Sequence, residues 1–444
     1  MAGGTWQSQN KIRPGAYFNF KSVPRPAMTV GDRGIGIMAI PLTWGAADTL
    51  IDVYSTDMLD GASLAKVGVT AFDEATEQSA KLLNLMLSGC YMAKIYRINA
   101  GGEKATVTLG DLTVTAKYTG TFGNSIVIAV VANNGHFDVT TYAAGGVRHT
   151  QTVNNISGLA GNDFVDFSGE GSLTANAGAP LTGGTDGSHN AAAYSAYFTL
   201  ASRARWQTMA VVTEESAVNT QAAAFAKTMR NDEGRYVQIA LANYTGADFY
   251  GLINADCGFA RAEDTVTAVE ATAWVAGLTA GASIVQSNTG RVVPGAVKIL
   301  HERTNTEIIE ALKSGMFILS SNQRGEIIVE DDINSQRTFT PELSEDFRLN
   351  QIVRVLDEIG TNTQDVWEQS FKGKVLNNED GRMIFKSALL SYLSELQSLG
   401  AITEFVGADD VTVEAGTAKD AIIVTIAARP VAAMTKLYAT VFIN

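Results

Sequence analysis

The sequence predicts a multi-domain α/β protein with a small β domain inserted into it. In 27–100 and again in 190–340, helical periodicity alternates with short apolar runs, which is typical of a parallel sheet covered by helices on both faces. Between them, 101–189 alternates apolar residues with Thr, Gly and Asn and contains no helical stretch, which indicates an all-β insertion. A third region, 341–430, has two amphipathic helices followed by strands and predicts an α+β domain.

The elements of the α/β body follow from hydrophobic periodicity. Helices are predicted where apolar residues recur at three- and four-residue spacing, and strands where short apolar runs lie between turn-forming residues. The expected strands are 34–40, 90–98, 208–212, 236–241, 296–300 and a hairpin of 316–320 with 325–330; the expected helices are 72–88, 191–204, 215–231, 263–280 and 304–314.

The C-terminal region ends in an apolar stretch. Helices are predicted at 344–359 and 381–399, and strands at 411–414 and 421–430. The last stretch alternates like a strong β-strand from residue 434 onward, although terminal residues are ordinarily polar and frayed unless they are held in place. It is therefore expected to form a C-terminal strand arm, 431–444.

The opening residues, 1–26, predict an N-terminal arm. They lack the apolar core and the small-residue cleavage site of a secretion signal. A turn at Pro14 and Gly15 precedes a short run, 16–20, in which aromatic residues favour extended backbone, and a stiff proline-containing spacer, 24–26, follows. A terminal strand without a hairpin partner needs an open sheet edge, either in its own domain or in another copy of the chain.

Composition argues against several classes of function. With 444 residues, 46% hydrophobic and 18% charged, the chain is expected to fold into several well-packed domains. The formal net charge of −13 argues against nucleic acid as a partner, because phosphate binding needs a positive surface. Two distant cysteines, Cys90 and Cys257, form neither a disulfide framework nor a metal-binding pair, and no apolar segment is long enough for a membrane helix. We expect synthesis in a reducing cytoplasm and no membrane partner.

Candidate catalytic residues are few. His136, His149 and His189 lie in the predicted β insertion or its exit loop, without a second ligand at metal-binding spacing. His301 follows the strand 296–300, a position where α/β enzymes often keep functional groups, but a solvated strand end is the favoured interpretation. Without a GxSxG elbow, a phosphate loop or a calcium loop, the sequence assigns no catalytic, cofactor-binding or metal residue.

Three features together resemble the contractile tail sheath proteins of myophages, in particular the branch found in phage-like elements of Gram-positive bacteria. They are the opening WQSQNKIRPGAYFNF at 6–20, the α/β body interrupted by a β domain, and the closing LYATVFI at 437–443. The resemblance implies a structural subunit with a subtilisin-like α/β core that stacks as hexameric rings around a tail tube. It also implies a tube-facing C-terminal domain, an outward-facing insertion, and a location in the tail of a virion or phage-like particle.

The resemblance further implies that both arms add strands to the sheets of neighbouring subunits. Its other partners would be the tail tube, baseplate and tail terminator proteins. The predicted subunit-interface residues are Ile12, Pro14, Gly15, Tyr17, Phe18, Phe20, Leu437, Tyr438, Val441, Phe442 and Ile443.

Two other classes remain open from the sequence. One is an α/β-type hydrolytic enzyme with an unrecognised site near His301. The other is a different self-assembling structural protein, such as a tube or surface-layer subunit. Tube subunits are usually smaller and mainly β, and surface-layer subunits need a secretion signal, so both versions are disfavoured.

Overall fold

The computed structural model describes most of the chain, namely residues 3–4, 16–17, 33–59, 64–69 and 77–443. The chain forms two compact units. The larger consists of Asp32–Ile359 with Pro430–Asn444, and the smaller of Met1–Gly31 with Gly360–Arg429. The larger unit therefore contains the α/β body and the β insertion.

An eight-stranded sheet forms the centre of the larger unit. Six neighbouring strands are parallel, and an antiparallel strand closes each edge. From edge to edge, the order is Ile327–Val329, Met316–Ser321, Leu252–Asp256, Gln238–Ala242, Thr208–Ala210, Ile35–Ile40, Met92–Arg97 and Leu50–Tyr54. The predicted parallel α/β body is confirmed.

Helices cover both faces of this sheet. Ile37 and Met38, neighbours on one strand, belong to different apolar clusters, because successive side chains of a strand point to opposite faces. The covering helices are Gln78–Leu87 and Ala268–Gly281 on the Met38 side, and Ala191–Ala201 and Ser216–Lys227 on the Ile37 side.

Two of the covering helices approach each other at glycine. A Cβ added to Gly277 would lie 2.0 Å from the carbonyl oxygen of Met86, so only glycine permits this spacing. A capping box of Thr267 and Glu270 closes the start of the buried helix. Glu270 also accepts a hydrogen bond from Lys81 Nζ at 2.9 Å, which ties the two helices together at their polar ends.

Two strands of the central sheet were not predicted from the sequence pattern. Polar residues interrupt both: Asn254 and Asp256 in Leu252–Asp256, and Asp52 in Leu50–Tyr54. The buried pair is tolerated because each side chain has a partner; Asn254 Oδ1, for example, accepts a backbone N–H at 2.8 Å. Hydrophobic periodicity alone therefore misses a strand whose polar groups are satisfied inside the fold.

Several predicted helix boundaries are wrong at their starts. Leu349 has extended backbone (ψ 118°), which separates a 3-10 turn, Glu345–Arg348, from the following α-helix. The observed helices are Gln78–Leu87 instead of 72–88 (70–76 lie outside the described residues), Ala268–Gly281 instead of 263–280, Asn350–Val366 instead of 344–359, and Glu379–Ser398 instead of 381–399.

The insertion folds as a β-sandwich. One sheet has four strands, including Asn176–Pro180, which lies in a stretch expected to be loop. The four-stranded sheet contains Gly146–Val153, His136–Ala143, Val127–Asn133 and Asn176–Pro180; the three-stranded sheet contains Val165–Ser168, Leu112–Thr119 and Lys104–Leu109.

Body residues join the sandwich firmly to the sheet. The ring of Trp44, from a loop of the body, lies 5.2 Å from the rings of Tyr118 and Phe122 and is buried in the sandwich core. The buried guanidinium of Arg97 donates to Thr119 O at 2.8 Å and to Gly45 O at 3.0 Å. Because these contacts are buried on both sides, the sandwich is fixed to the body.

The remaining elements are short or belong to the smaller unit. A small sheet of Phe259–Arg261, Thr265–Val266 and Ala296–Ile299 and the helix Asn305–Lys313 complete the body. The smaller unit contains the π-helical turn Trp367–Phe371, the helices Glu379–Ser398 and Gly407–Asp410, and the strands Val411–Ala415 and Ile422–Ile426. Other single turns are Ser55–Leu59, Ala65–Val67, Thr121–Ser125, Ile156–Gly158 and the π-helical Thr228–Asp232.

Removing the Trp44 ring is expected to loosen the sandwich from the body. Trp44→Ala should lower the free energy of unfolding by about 3–5 kcal/mol, because it leaves a cavity among three aromatic rings. Val131→Ala, at a side chain of the same sandwich that is 56% exposed, is the control and should change it by less than about 0.5 kcal/mol. Urea unfolding followed by circular dichroism measures both; equal midpoints for the two variants would contradict the buried joint.

Candidate interaction surfaces

The last described residues, 430–443, form an exposed segment without helix or strand, called here the C-terminal run. Its large apolar side chains are almost fully in solvent, with Leu437 89% and Phe442 86% exposed. Beyond a single bridge residue, Pro430, the run takes no part in a sheet with another described part of the chain. The strand predicted from residue 434 onward is therefore not formed within the chain, because the run has no described sheet edge beside it.

The predicted C-terminal interface residues all lie in this run. They share high exposure and a lack of packing within the larger unit; they are Leu437, Tyr438, Val441, Phe442 and Ile443. Exposed contiguous apolar side chains usually mark an interaction surface.

The C-terminal run is attached to the body at one helix. The backbone N–H of Ala433 donates to Gln351 Oε1 at 3.0 Å, and Gln351 lies in the first turn of the helix Asn350–Val366. The run therefore leaves the body from a defined point.

A buried ionic cluster, called here the root network, holds that same helix. Arg354, fully buried, donates from Nη2 to Asp332 Oδ2 at 2.9 Å. Asp332 also accepts from Asn350 Nδ2 at 2.9 Å and from the backbone N–H of Asn288 at 3.0 Å. Multiple hydrogen bonds to the carboxylate offset the desolvation of this buried pair.

A second buried pair extends the root network. Arg230 Nη1 donates to Asp357 Oδ2 at 2.9 Å, one helical turn beyond Arg354. Burial lowers the pKa of Arg33 to about 10, and the charge of Arg354 acts in the same direction while Asp357 and Glu358 oppose it. Arg33 therefore lies close to the charged groups of the same helix.

Sequence reasoning missed the root network, although a signal was present. Asn350, Arg354 and Asp357 recur at helical spacing, so they share one face of the helix. Charged residues that recur on one face of a helix are ordinarily interpreted as lying at the solvent-exposed surface. Their burial becomes visible only when Asp332 and Arg230, distant in sequence, are seen to cover them.

Little of the N-terminal arm lies within the described residues. Ala16–Tyr17, part of the strand predicted at 16–20, pairs in parallel with Gly3–Gly4. Tyr17 is thus placed opposite Gly4. The other predicted interface residues of the arm lie outside the described residues: Ile12, Pro14, Gly15, Phe18 and Phe20.

The smaller unit presents a two-stranded antiparallel sheet, called here the ribbon. It consists of Val411–Ala415 and Ile422–Ile426, and no third strand joins it among the described residues. Asp410 supports its base, accepting from Arg429 Nη1 at 3.2 Å, while Ile423 is 53% exposed. A sheet with open edges can accept added strands.

The contacts around His301 are those of a strand end that is stabilised by side-chain hydrogen bonds. His301 Nδ1 lies 2.7 Å from Asp256 Oδ2, and Arg303 donates to the same carboxylate oxygen. Burial raises the pKa of the neighbouring Cys257 thiol well above its usual value, which keeps this sulfur protonated and unreactive. The Asp256 carboxylate is thus held by two cationic or polar partners that stabilise the end of its strand.

The other histidines are not gathered into a site. His136 approaches Asn154, and His149 and His189 are exposed elsewhere in the insertion and its exit loop. Within the described ranges, no group of three His, Cys, Asp or Glu side chains is placed to hold a metal ion. Among those same residues, no helix has both the length and the apolar composition needed to cross a bilayer.

The chain has a β-sandwich inserted into its α/β body. Its C-terminal run and the edges of its ribbon have no sheet partner among the described residues, as expected for a subunit that assembles with copies of itself. Three family models match the chain: the phage tail sheath protein beta-sandwich domain at residues 100–186, the central domain at 187–335 and the C-terminal domain at 342–444. The phage-like element PBSX protein XkdK of Bacillus subtilis is 33% identical over the full length of both chains. The chain therefore belongs to the phage tail sheath family, whose members are structural proteins and not enzymes.

Solved structures agree with this membership. The sheath tail protein of Desulfitobacterium hafniense is 37% identical with a TM-score of 0.80, over 96% of this chain and 99% of that one. The sheath tail protein of Listeria innocua is 32% identical with a TM-score of 0.83, over 92% and 94%. The contracted helical sheath of the anti-feeding prophage, 12% identical with a TM-score of 0.56 over 98% of this chain and 99% of that one, shares the fold. Of the predicted classes, the sheath subunit is confirmed over the hydrolytic enzyme near His301.

Breaking the root network is expected to lower the free energy of unfolding far more than breaking a surface ion pair does. Arg354→Met should lower the free energy of unfolding by about 3–5 kcal/mol, because Asp332 would remain buried without its cation. Adding Asp332→Asn should recover part of this loss, since a neutral amide needs no countercharge. The matched control is Lys117→Met, which breaks the exposed 2.8 Å pair with Asp166 and should leave the urea midpoint close to that of the wild type. Urea unfolding measures all three, and equal losses at both pairs would contradict the proposed anchoring.

Proposed function

We propose that this sheath subunit stacks as hexameric rings around a tail tube and contracts by rearrangement of subunits linked through exchanged terminal β-strands. Membership of the sheath family supports a structural role in a tail. The observation that carries the strand-exchange mechanism is the C-terminal run, whose apolar side chains are exposed and whose backbone has no sheet partner among the described residues.

The sequence of the C-terminal run suits it to strand addition. Side chains alternate sides along an extended backbone, so Leu437, Val441 and Ile443 share one side while Tyr438 and Phe442 share the other. Both sides are apolar, as in a strand that becomes buried on both faces. Pairing with another chain would satisfy its backbone groups and remove these side chains from water together.

The ribbon is the proposed acceptor in a neighbouring copy. Its strands are five residues each, which is long enough to pair with the apolar part of a terminal run. The predicted N-terminal interface at Ile12, Tyr17 and Phe20 would supply a second strand to the same kind of edge. With two added strands, an isolated ribbon becomes a sheet of a size that is stable in proteins.

Strand exchange suits a sheath that changes its packing. Main-chain pairing depends little on the exact angle between the two bodies, so the bodies would turn about the segment 428–433 while the strands stay paired. Contraction is then a passage between two packings of rigid bodies, the extended one being metastable. No nucleotide hydrolysis is required by this mechanism.

The remaining assignments follow from the family resemblance. The α/β body would correspond to a subtilisin-like core, the C-terminal domain, 341–430, would face the tube, and the sandwich would face outward. Tail tube, baseplate and tail terminator proteins complete the set of partners. The subunit would be made in the host cytoplasm and act in the tail of a virion or phage-like particle.

Deletion of residues 1–23 tests the N-terminal arm. The deletion should leave the body folded, because the core residues described for the body all lie outside this segment. It should abolish tubular assemblies seen by negative-stain microscopy of the purified protein. Tubes of normal length from the truncated chain would contradict the role of the arm.

A charged pair in the C-terminal run tests the second arm. Val441→Asp combined with Phe442→Asp should leave the melting temperature of the dispersed subunit within about 1 °C, because both side chains are more than four-fifths exposed. Assembly should be lost, since neither face of an added strand could then be buried. The control, Ala432→Asp with Thr435→Asp, makes the same change in net charge at exposed positions before the apolar stretch and should still assemble. Normal assembly of the Val441 and Phe442 variant, or equal loss in the control, would contradict the proposal.

A further inference from the structure

The smaller unit contains a pocket of about 540 Å³ that adjoins the ribbon at Ile422. Its floor is aromatic: the ring of Phe385 lies 5.3 Å from that of Trp367 and 4.8 Å from that of Phe371, each edge-on. Its volume lies within the range of ligand and peptide pockets.

The walls of the pocket are held in place by specific contacts. Asn377 Nδ2 donates to Ala421 O at 2.8 Å and to Lys419 O at 3.0 Å, which fixes the loop 372–377 to the turn of the ribbon. A Cβ on Gly381 would lie 2.1 Å from Leu376 O, so the loop packs directly on the start of the following helix. The cavity is therefore part of the folded unit.

The rim of the pocket is positively charged. Residues 360–429 contain six basic and ten acidic residues, yet four of those six bases line this one pocket: Lys372, Lys374, Arg382 and Lys419. Asp420 is the single carboxylate among the lining residues, and Glu368 lies 3.7 Å from Lys372 on the adjacent helical turn. An aromatic floor with a basic rim fits an apolar side chain flanked by carboxylates.

The chain itself carries such a segment, called here the acidic turn, at 340–346. It presents Glu342, Glu345 and Asp346 around Leu343, and none of these three carboxylates takes part in an ion pair within the described part of the chain. Reciprocal backbone hydrogen bonds of 3.0 Å between Thr340 and Leu343 close the turn. It is thus an exposed, preorganised anion with one apolar side chain at its centre.

We infer that the pocket of one subunit receives the acidic turn of another copy of the chain. The inference rests on the proposed assembly, in which each subunit is surrounded by copies of itself. Charge complementarity supports it: copies with a net charge of −13 repel one another, and a basic pocket on an acidic surface supplies a specific attraction. Leu343 would pack against the aromatic floor of the pocket, while the flanking carboxylates meet the lysines of the rim.

A charge swap tests the contact in the full-length protein. Lys372→Glu with Lys374→Glu, and separately Glu342→Lys with Glu345→Lys, should each raise the concentration needed for assembly by about tenfold, because attractive pairs become repulsive. Combining all four substitutions restores the charge pattern and should return assembly to within about threefold of the wild type. Sedimentation and negative-stain microscopy measure the concentration that each variant needs for assembly.

The matched control is Lys104→Glu with Lys298→Glu, which makes the same change in net charge at exposed positions outside the pocket and should assemble like the wild type. Failure of the four-fold variant to recover, or normal assembly of the pocket variant, overturns the inference. Normal assembly of the pocket variant with loss of tail-tube binding would also overturn it and assign the pocket to the tube. Failure of the wild type to assemble would instead count against the proposed function.

Discussion

An extended backbone with apolar side chains on both sides is unstable in water, and the C-terminal run is such a segment. Each large side chain that it exposes would gain about 1.5–3 kcal/mol on burial, and its peptide groups have no sheet partner among the described residues. The run is held by a hydrogen bond from the backbone of Ala433 to Gln351, before its apolar stretch begins. The dispersed subunit is therefore energetically incomplete, and a neighbouring sheet edge is the simplest way to complete it.

In the proposed linkage by added strands, the body of each subunit must keep its shape while its contacts with neighbouring subunits change. Buried, specific contacts within the body hold that shape. Gly277 sets the spacing of two helices, Trp44 and Arg97 fix the sandwich, and the root network holds the helix from which the C-terminal run departs. Such fixed bodies suit the proposed transition between two packings, in which the subunits move as rigid units.

The sequence predicted the parallel body and the β insertion because their apolar alternation is regular over several elements. It missed the strand Leu252–Asp256 because buried Asn254 and Asp256 imitate a loop, and their partners lie far away in sequence. It placed the start of the helix Asn350–Val366 too early because local periodicity cannot reveal the extended backbone at Leu349. The root network and the aromatic pocket were not predicted from the sequence for the same reason: both depend on side chains brought together by the fold.

Hydrogen exchange of the backbone amides at 434–443 tests strand exchange most directly. These amides should exchange freely in the dispersed subunit, because they have no sheet partner among the described residues. In assembled tubes they should be protected by about a hundredfold or more, as in a paired strand. Equally fast exchange of these amides in subunits and tubes would show that the C-terminal run is not paired in the assembly, and would contradict the mechanism.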